Sequence, residues 1–197
     1  MKVIFICDWD YTFIWEKIVN DLKKEKIIKS AIAYVVGRNF NKYLDELNPN
    51  PFDKKYLFQD AIEDKNTSQN PLEVLNKIEK KYGYPNLNRY VWADRNLPYK
   101  DYSEGCDFMI KTFNLWEKIF NIEKPDAIAA VGYGSMPHLA SHLIARKRKI
   151  PIFSPVNMRI GGWRYITSYD LSGLRTVENL KINFKSNKKS LLEIRKF

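Results

Sequence analysis

The stretch Ala127-Ile-Ala-Ala-Val-Gly-Tyr-Gly-Ser135, which continues as Met136-Pro-His138, decides the predicted fold. Its first five residues are small or apolar and predict a buried parallel strand. Gly132 and Gly134 then allow a sharp turn, and Pro137 suits the first turn of a helix. A helix N-terminus after a strand offers N–H groups and a dipole that can hold an anion or a sugar hydroxyl. A tight turn without a ligand has the same pattern.

The composition is that of one globular domain. A chain of 197 residues with 45% hydrophobic and 14% aromatic residues can bury a core, which excludes wholesale disorder. The net charge is +10, and the sequence pI is about 9.4. This charge suggests an anionic partner, such as nucleic acid, a phosphate-bearing substrate or an acidic membrane surface, although charge that serves solubility alone gives the same balance.

The cysteines and the apolar runs indicate where the protein resides. Cys7 and Cys106 are the only cysteines, and their wide separation argues against a zinc module and a disulfide scaffold. No run approaches the roughly 18 apolar residues of a transmembrane helix. The apolar stretch at the N-terminus ends at Asp8 and is too short for a signal peptide. We therefore expect a cytoplasmic protein, with peripheral contact at the inner face of the membrane left open.

Apolar runs and helical periodicities alternate along the chain. We predict strands at residues 3–7, 31–36, 89–93, 127–131 and 151–154. Helices are predicted after the first strand, over 40–47, from Asn70 and Pro71 to Gly83, over 103–122, and from about 137 to 149. The polar residues 48–70 are predicted to be a long excursion or a flap.

This alternation predicts an α/β protein with a Rossmann-like three-layer αβα domain over residues 1–167. Its sheet would be mainly parallel, with about five or more strands. Residues 168–197 are polar and basic and are predicted to be a tail or the start of a linker to a missing second domain. In the common strand order 3-2-1-4-5, loops 8–12 and 132–137 would face each other across one crevice.

The segment Asp8-Trp-Asp-Tyr-Thr12 follows the first predicted strand and resembles the opening motif of haloacid-dehalogenase-like phosphatases. That resemblance implies that Asp8 attacks phosphorus and that Asp10 acts as acid and base. Such an enzyme also needs later carboxylates that hold Mg²⁺. The comparable turn after the central strand, residues 132–135, contains none.

The remaining motifs predict no cofactor and no metal. His138 and His142 have the spacing of two zinc ligands, but the chain has no other histidine and no evident third ligand. His138 therefore stays a candidate sugar or phosphate contact. No G-x-G-x-x-G and no P-loop lysine occurs. The basic clusters at 23–29 and 146–149 suit a phosphate-rich surface or are solvated helix ends.

Residues 156–167 contain arginines, glycines and a tryptophan and are predicted to be a loop that contacts a ligand, or one in which Trp163 covers the core. The layout and several short segments resemble the N-terminal, acceptor-side half of GT-B-type glycosyltransferases of capsule and surface polysaccharide synthesis. The similar segments are Lys2-Val-Ile-Phe-Ile-Cys7, Tyr11-Thr-Phe13, Ala33-Tyr-Val-Val-Gly-Arg38, Lys124-Pro-Asp126, Ala145-Arg-Lys-Arg-Lys-Ile-Pro151 and Met158-Arg-Ile-Gly-Gly-Trp-Arg164. The resemblance covers most of residues 1–170.

The resemblance implies an acceptor-side domain that acts with a second domain or subunit, which binds the nucleotide-sugar donor. The chain would then be a fragment, a truncated product or a split subunit. A base in the acceptor-side domain takes the proton of the acceptor hydroxyl, which belongs to a saccharide or a lipid-linked acceptor. By position this base would be Asp8 or Asp10, with His138 as a rival.

The same placement suggests the substrate-binding residues. The side of the cleft formed by the first loop would include Tyr11 and Thr12. The opposite side would be lined by Gly132, Gly134 and Ser135, and an anion would be met by Arg159 or Arg164. The preferred prediction is thus a glycosyltransferase domain that is incomplete without its donor-binding part. The alternatives are the Mg²⁺-dependent phosphohydrolase and a non-enzymatic basic module that binds a partner subunit or nucleic acid, although nucleic acid is not the partner that the preferred prediction implies.

Overall fold

The computed structural model describes residues 1–59, 70–94, 101–131, 134–157 and 164–168, and only the backbone of 155–157 and 164–168. The strands are β1 (Lys2–Asp8), β2 (Ser30–Val36), β3 (Lys54–Leu57), β4 (Ala127–Ala129), β5 (Ile152–Asn157) and β6 (Arg164–Ser168). The helices described are α1 (Tyr11–Lys24), α2 (Arg38–Glu46), α3 (Pro71–Tyr82), α4 (Leu87–Tyr90), α5 (Tyr102–Glu123) and α6 (Met136–Lys147). Among these residues, none of the helices is both long and apolar enough to cross a bilayer.

One six-stranded sheet organises the chain, with the strand order β3-β2-β1-β4-β5-β6. The first five strands in chain order are parallel, and β6 pairs antiparallel with β5. In the register, Phe5 of β1 lies opposite Ala33 of β2 and Ala129 of β4. The predicted α/β, Rossmann-like three-layer fold is confirmed, and so is the predicted position of β1 beside β4.

Helices cover both faces of the sheet, because successive strand residues point to opposite sides. Ile4 and Ile6 of β1 pack with α3, α5 and α6 in one buried cluster. Val3, Phe5 and Cys7 pack with α1 and α2 in the other. The two connections that run from β1 to β3 therefore lie on one face, and those that lead to β4 and β5 lie on the other. The change of face occurs between β1 and β4, which is the predicted switch point.

Two tryptophans anchor the helix layers. Trp15 of α1 is buried, its ring packs against Phe5 at 5.6 Å, and its indole N–H donates to the Ile6 carbonyl at 2.9 Å. Trp116 of α5 is buried on the other face and stacks on Tyr34 of β2 at a ring distance of 4.1 Å. Aromatic rings remove a large apolar area from water, so these contacts fix α1 and α5 on the central strands.

The predicted third strand was wrong. Residues 89–93 form the end of α4 and a turn, and the third strand is β3, within the stretch predicted as a polar excursion. β3 lies at the edge of the sheet, where lysines are tolerated because one side of the strand faces solvent. The polar residues before it form its turn: Asn50 donates to the Leu44 carbonyl at 2.6 Å, and Asp53 accepts from the Ala31 N–H at 2.8 Å.

The predicted ends of α3 are confirmed. The Asn70 side chain accepts a hydrogen bond from the Glu73 N–H at 3.3 Å, Pro71 opens the helix, and Gly83 closes it with a φ of 65°. Such a left-handed conformation favours glycine because glycine has no Cβ.

The loop predicted at 156–167 was wrong at both ends. Val156 and Asn157 belong to β5, and Arg164–Ser168 form β6, which pairs back onto β5. Residues 158–163 and 169–197 lie outside the described residues, so the domain boundary at 167 stays a prediction.

Each of the two predicted basic clusters contains a residue that forms an ion pair within the chain. Lys23 pairs with Asp53 at 2.7 Å. Arg148, which follows α6, binds Glu117 of α5, and Glu117 also accepts from Lys81 and Tyr82 at the end of α3. These cations tie neighbouring elements together, which weakens the case for a surface devoted to nucleic acid.

Gly105 gives a direct test of the packing between α5 and the turn after α4. A Cβ at this position would lie 2.4 Å from Cγ1 of Val91, which is buried. We expect Gly105→Ala to destabilise the protein by about 1–3 kcal/mol, because the clash exceeds the gain in helix propensity of about 1 kcal/mol. Urea denaturation measures the effect. In a Val91→Ala background the same substitution should cost nothing, and an equal loss in both backgrounds would contradict this packing.

Candidate functional site

A carboxylate and an imidazole meet where β1 ends. Asp8 is the last residue of β1, and strand alternation directs its side chain to the same face as Ile4 and Ile6, where α6 lies. Its Oδ2 lies 3.9 Å from Nδ1 of His138 in the first turn of α6. The Asp8 side chain keeps 16% of its surface exposed, whereas His138 keeps 5%. The carboxylate can therefore be reached from solvent, and the imidazole is almost enclosed.

The N-terminus of α6 is held by side chains of this chain. Ser135 precedes the helix in an extended conformation, and its Oγ lies 2.8 Å from Nδ1 of His138. The Met136 N–H donates to the carboxylate of Asp94, which is buried. A carboxylate at this position is favoured by the helix dipole. The Asp94 carboxylate therefore already accepts the first N–H of the anion site that the sequence predicted here.

Both histidines are neutral at pH 7. Burial, helped by the neighbouring His142, lowers the pKa of His138 to about 3. Burial also lowers the pKa of His142 to about 4, against the opposing effect of the hydrogen bond that its Nδ1 donates to the His138 carbonyl at 2.7 Å. Nε2 of His138 is buried and has no hydrogen-bond partner among the described residues.

The geometry excludes two kinds of nucleophile. A Ser-His-Asp triad needs the serine at Nε2 and the carboxylate at Nδ1. Here both Ser135 and Asp8 approach Nδ1 of His138, so the three residues do not form such a triad. The Cys7 thiol is buried, and burial, followed by the charge of Asp8, raises its pKa. Cys7 is therefore an inert core residue. Among the described residues, no three side chains of the His, Cys, Asp and Glu types are grouped to hold a metal.

The other predicted residues of the first loop differ in exposure. Asp10 is exposed at the start of α1 and makes no capping hydrogen bond with its side chain. Tyr11 is half-buried and packs on the α1–α2 cluster. Thr12 is fully buried, and its hydroxyl has no hydrogen-bond partner in the part of the chain that the structure describes. The site prediction for these residues stays a prediction.

The second predicted side of the cleft is described only in part. Gly134 is exposed next to the buried Ser135. Arg164 opens β6 opposite Asn157, the last residue of β5, and so lies at the same edge of the sheet as the end of β1. Gly132 and Arg159 lie outside the described residues. The structure thus brings together Asp8, Ser135 and His138.

Sequence reasoning missed three residues at this edge. Asp94 was hidden because the residues before it were predicted to be a strand. Trp9 and Trp92 are 69% and 63% exposed, and each lies within two residues of a carboxylate of the site. Trp9 also has a φ of 50°, which a bulky residue rarely adopts, and such backbone strain clusters at functional sites. A tryptophan beside an acidic residue after a predicted strand was the signal available.

Comparisons with protein-family models, with curated proteins and with solved structures found no match. The function is therefore argued from the residues of this chain.

Proposed function

We propose that this chain is the acceptor-side domain of a GT-B-like glycosyltransferase of surface polysaccharide biosynthesis. In this proposal Asp8 accepts the proton of the acceptor hydroxyl as that oxygen bonds to C1 of the donor sugar, and the bond from C1 to the nucleoside diphosphate, which leaves, is broken. The observation that supports it is the arrangement at the end of β1. There, a solvent-accessible carboxylate lies 3.9 Å from a neutral imidazole, at the switch point of the sheet. Ligands of open α/β sheets bind at this point.

The carboxylates of the site suit a hydroxyl-rich ligand. Asp8 and Asp94 place two carboxylates around the N-terminus of α6, and Asp94 already accepts its first N–H. A sugar hydroxyl can donate to a carboxylate and accept from another group. This supports binding of a saccharide acceptor here, while the donor would bind to a second domain or subunit.

Asp8 is the best of the three candidate bases. A general base must lie within hydrogen-bonding distance of the proton that it abstracts and must have a suitable pKa. His138 is almost enclosed and its Nε2 is buried, so it does not reach a hydroxyl that enters the crevice. Asp10 is exposed at the start of α1, away from the enclosed His138. Asp8 alone combines solvent access with contact to the enclosed polar groups.

The position of Asp94 favours the phosphohydrolase as a second candidate. Its carboxylate lies at the start of α6, whereas the turn after β4 contains no carboxylate. Two points weigh against this candidate. The Asp94 carboxylate is buried and binds the Met136 N–H, and the described residues contain no group of three metal ligands. A phosphatase of this type needs such ligands to hold Mg²⁺ and its substrate.

A transfer assay tests the proposal. The purified chain would be added to extracts of a strain that lacks its gene, together with radiolabelled UDP-, GDP- and dTDP-sugars. We expect incorporation of label into saccharide that depends on the added chain. Release of phosphate from p-nitrophenyl phosphate that requires Mg²⁺ and is lost in Asp8→Asn, without any incorporation of label, would contradict the glycosyltransferase and establish the phosphohydrolase.

A further inference from the structure

A stacked pair of aromatic rings lies at the surface beside the cleft. The Trp92 ring lies 5.9 Å from the ring of Tyr102, and the two planes differ by 13°. Tyr102 therefore covers only part of one face of the indole, and 63% of the Trp92 surface remains exposed. Exposure of a large indole to water is energetically unfavourable. An aromatic side chain held in this way therefore indicates a contact surface for a ligand or partner.

Backbone hydrogen bonds fix Trp92 close to the cleft. The N–H groups of Trp92 and Asp94 donate to the carbonyls of Arg89 and Tyr90, at 3.2 and 3.0 Å, so these residues form a compact turn. Two residues span at most about 7 Å, so Trp92 lies within that distance of Asp94. Asp94 in turn binds the Met136 N–H at the start of α6. The indole and the Asp8 region thus belong to the same edge of the molecule.

The neighbours of the pair keep it in place. Val91, directly before Trp92, and Asp94, two residues after it, are both buried. Tyr102 is half-buried in the first turn of α5. Its hydroxyl interacts with the side chains of Cys106 and Asn88, and burial, followed by Cys106, raises its pKa. A rigid aromatic surface loses little conformational entropy when it binds a ligand.

We infer that Trp92, supported by Tyr102, binds a second sugar ring of an extended saccharide acceptor whose terminal ring reaches Asp8. The inference rests on the proposed function and names its substrate class as an oligosaccharide rather than a monosaccharide. The C–H face of a sugar ring complements the electron-rich face of an indole. A nucleotide base would stack on the same indole, so uridine diphosphate is a competing probe in the titration.

Saccharide titrations of the full chain test the inference. The probes are maltotetraose, cellotetraose, chitotetraose and mannotetraose with their monosaccharides, and binding is followed by the indole N–H signals of ¹⁵N-labelled protein. We expect one tetrasaccharide to shift the Trp92 signal, and Trp92→Ala to weaken its binding by about tenfold, or roughly 1.4 kcal/mol. Trp92→Phe, which keeps a stacking ring, should lose less. Leu72→Ala, at another exposed apolar residue, should bind as the unaltered chain does.

The outcomes separate this inference from the proposed function. If a tetrasaccharide binds, and Asp8→Asn weakens its binding but Trp92→Ala does not, the stacking role is overturned and the proposed function stands. The inference is also overturned if monosaccharides bind as tightly as tetrasaccharides. If no saccharide binds, or if only uridine diphosphate or phosphatidylglycerol vesicles shift the Trp92 signal, the inference is overturned, and the transfer assay decides the proposed function separately. Loss of binding in Trp92→Ala with an unchanged urea midpoint supports the inference, because the fold is then intact.

Discussion

Acidification from pH 7 to pH 4 is expected to unfold this protein, and the two buried histidines are expected to begin the loss of stability. The chain contains only His138 and His142, so no other imidazole contributes in this range. Burial holds their pKa values at about 3 and about 4 in the folded protein, against an ordinary value of 6.5. Below pH 6.5 the unfolded chain therefore binds protons that the folded chain does not bind.

The sign of the effect follows from this difference in proton binding. Stability rises with pH, and so falls on acidification, wherever the unfolded state binds more protons than the folded state. The stabilisation is complete above pH 6.5 and is lost as the pH falls toward about 4 for His142 and about 3 for His138. Each histidine contributes a slope of up to about 1.4 kcal/mol per pH unit. Asp8 lies 3.9 Å from His138 and would favour its charged form, but burial has the larger effect.

Carboxylates add a second loss at lower pH. Burial raises the pKa of Glu117, but hydrogen bonds from Lys81, Tyr82 and Arg148 outweigh it and hold this pKa below its ordinary value of 4.5. The stabilisation from Glu117 is present above pH 4.5 and is lost as the pH falls through the lower value of the folded state. The loss between pH 6.5 and 4.5 is therefore the part that belongs to the histidines.

Urea denaturation at several pH values between 7 and 4.5 measures the slope. His142→Asn is the matched variant, because its side-chain amide can replace the Nδ1–H that donates to the His138 carbonyl, and it does not titrate. We expect the slope of the free energy of unfolding against pH to be smaller in this variant by up to about 1.4 kcal/mol per pH unit, which corresponds to one proton. An equal slope in both proteins would show that His142 is not held neutral by burial.

Asp8→Asn is expected to reduce sugar transfer by about 10²–10⁴-fold, the range that general-base catalysis contributes. The amide has nearly the shape of the carboxylate but cannot accept a proton from the acceptor hydroxyl. Because Asp8 is partly exposed at the end of β1, the substitution should leave the fold intact. The assay is the incorporation of labelled sugar in the extract system, with urea midpoints measured in parallel.

Asp10→Asn is the control for this prediction. Asp10 is exposed and makes no capping hydrogen bond, so its substitution should change transfer by no more than about twofold. If Asp10→Asn abolished transfer and Asp8→Asn did not, the base would have been assigned to the wrong aspartate. If both variants kept the activity of the unaltered chain, neither aspartate of this loop would be the base.

Much of the central sheet could be predicted from the sequence, because its strands are buried on both faces. The apolar runs of β1, β2 and β4 have no alternative to burial, and the residues that cap α3 have well-defined backbone preferences. The position of β1 beside β4 followed from the common doubly wound strand order 3-2-1-4-5. The meeting of Asp8 with His138 followed in turn from that position.

The edges of the sheet could not be predicted in the same way. β3 reads Lys-Lys-Tyr-Leu, which has no apolar run because one edge of the strand faces solvent. Val91 and its neighbours have the composition of a strand, but Val91 packs against the helical Gly105, a contact that only tertiary structure reveals. Asp94 was missed for the same reason, since its role depends on a partner 42 residues away.

Analysis of the cell-surface polysaccharide in the organism that encodes this chain tests the central claim most directly. The gene would be deleted and then restored as the unaltered chain, as Asp8→Asn or as Asp10→Asn. We expect the deletion to shorten or remove a surface polysaccharide, and the unaltered chain and Asp10→Asn, but not Asp8→Asn, to restore it. A polysaccharide of unchanged amount, length and composition in the deletion strain would contradict the assignment of this domain to surface polysaccharide synthesis.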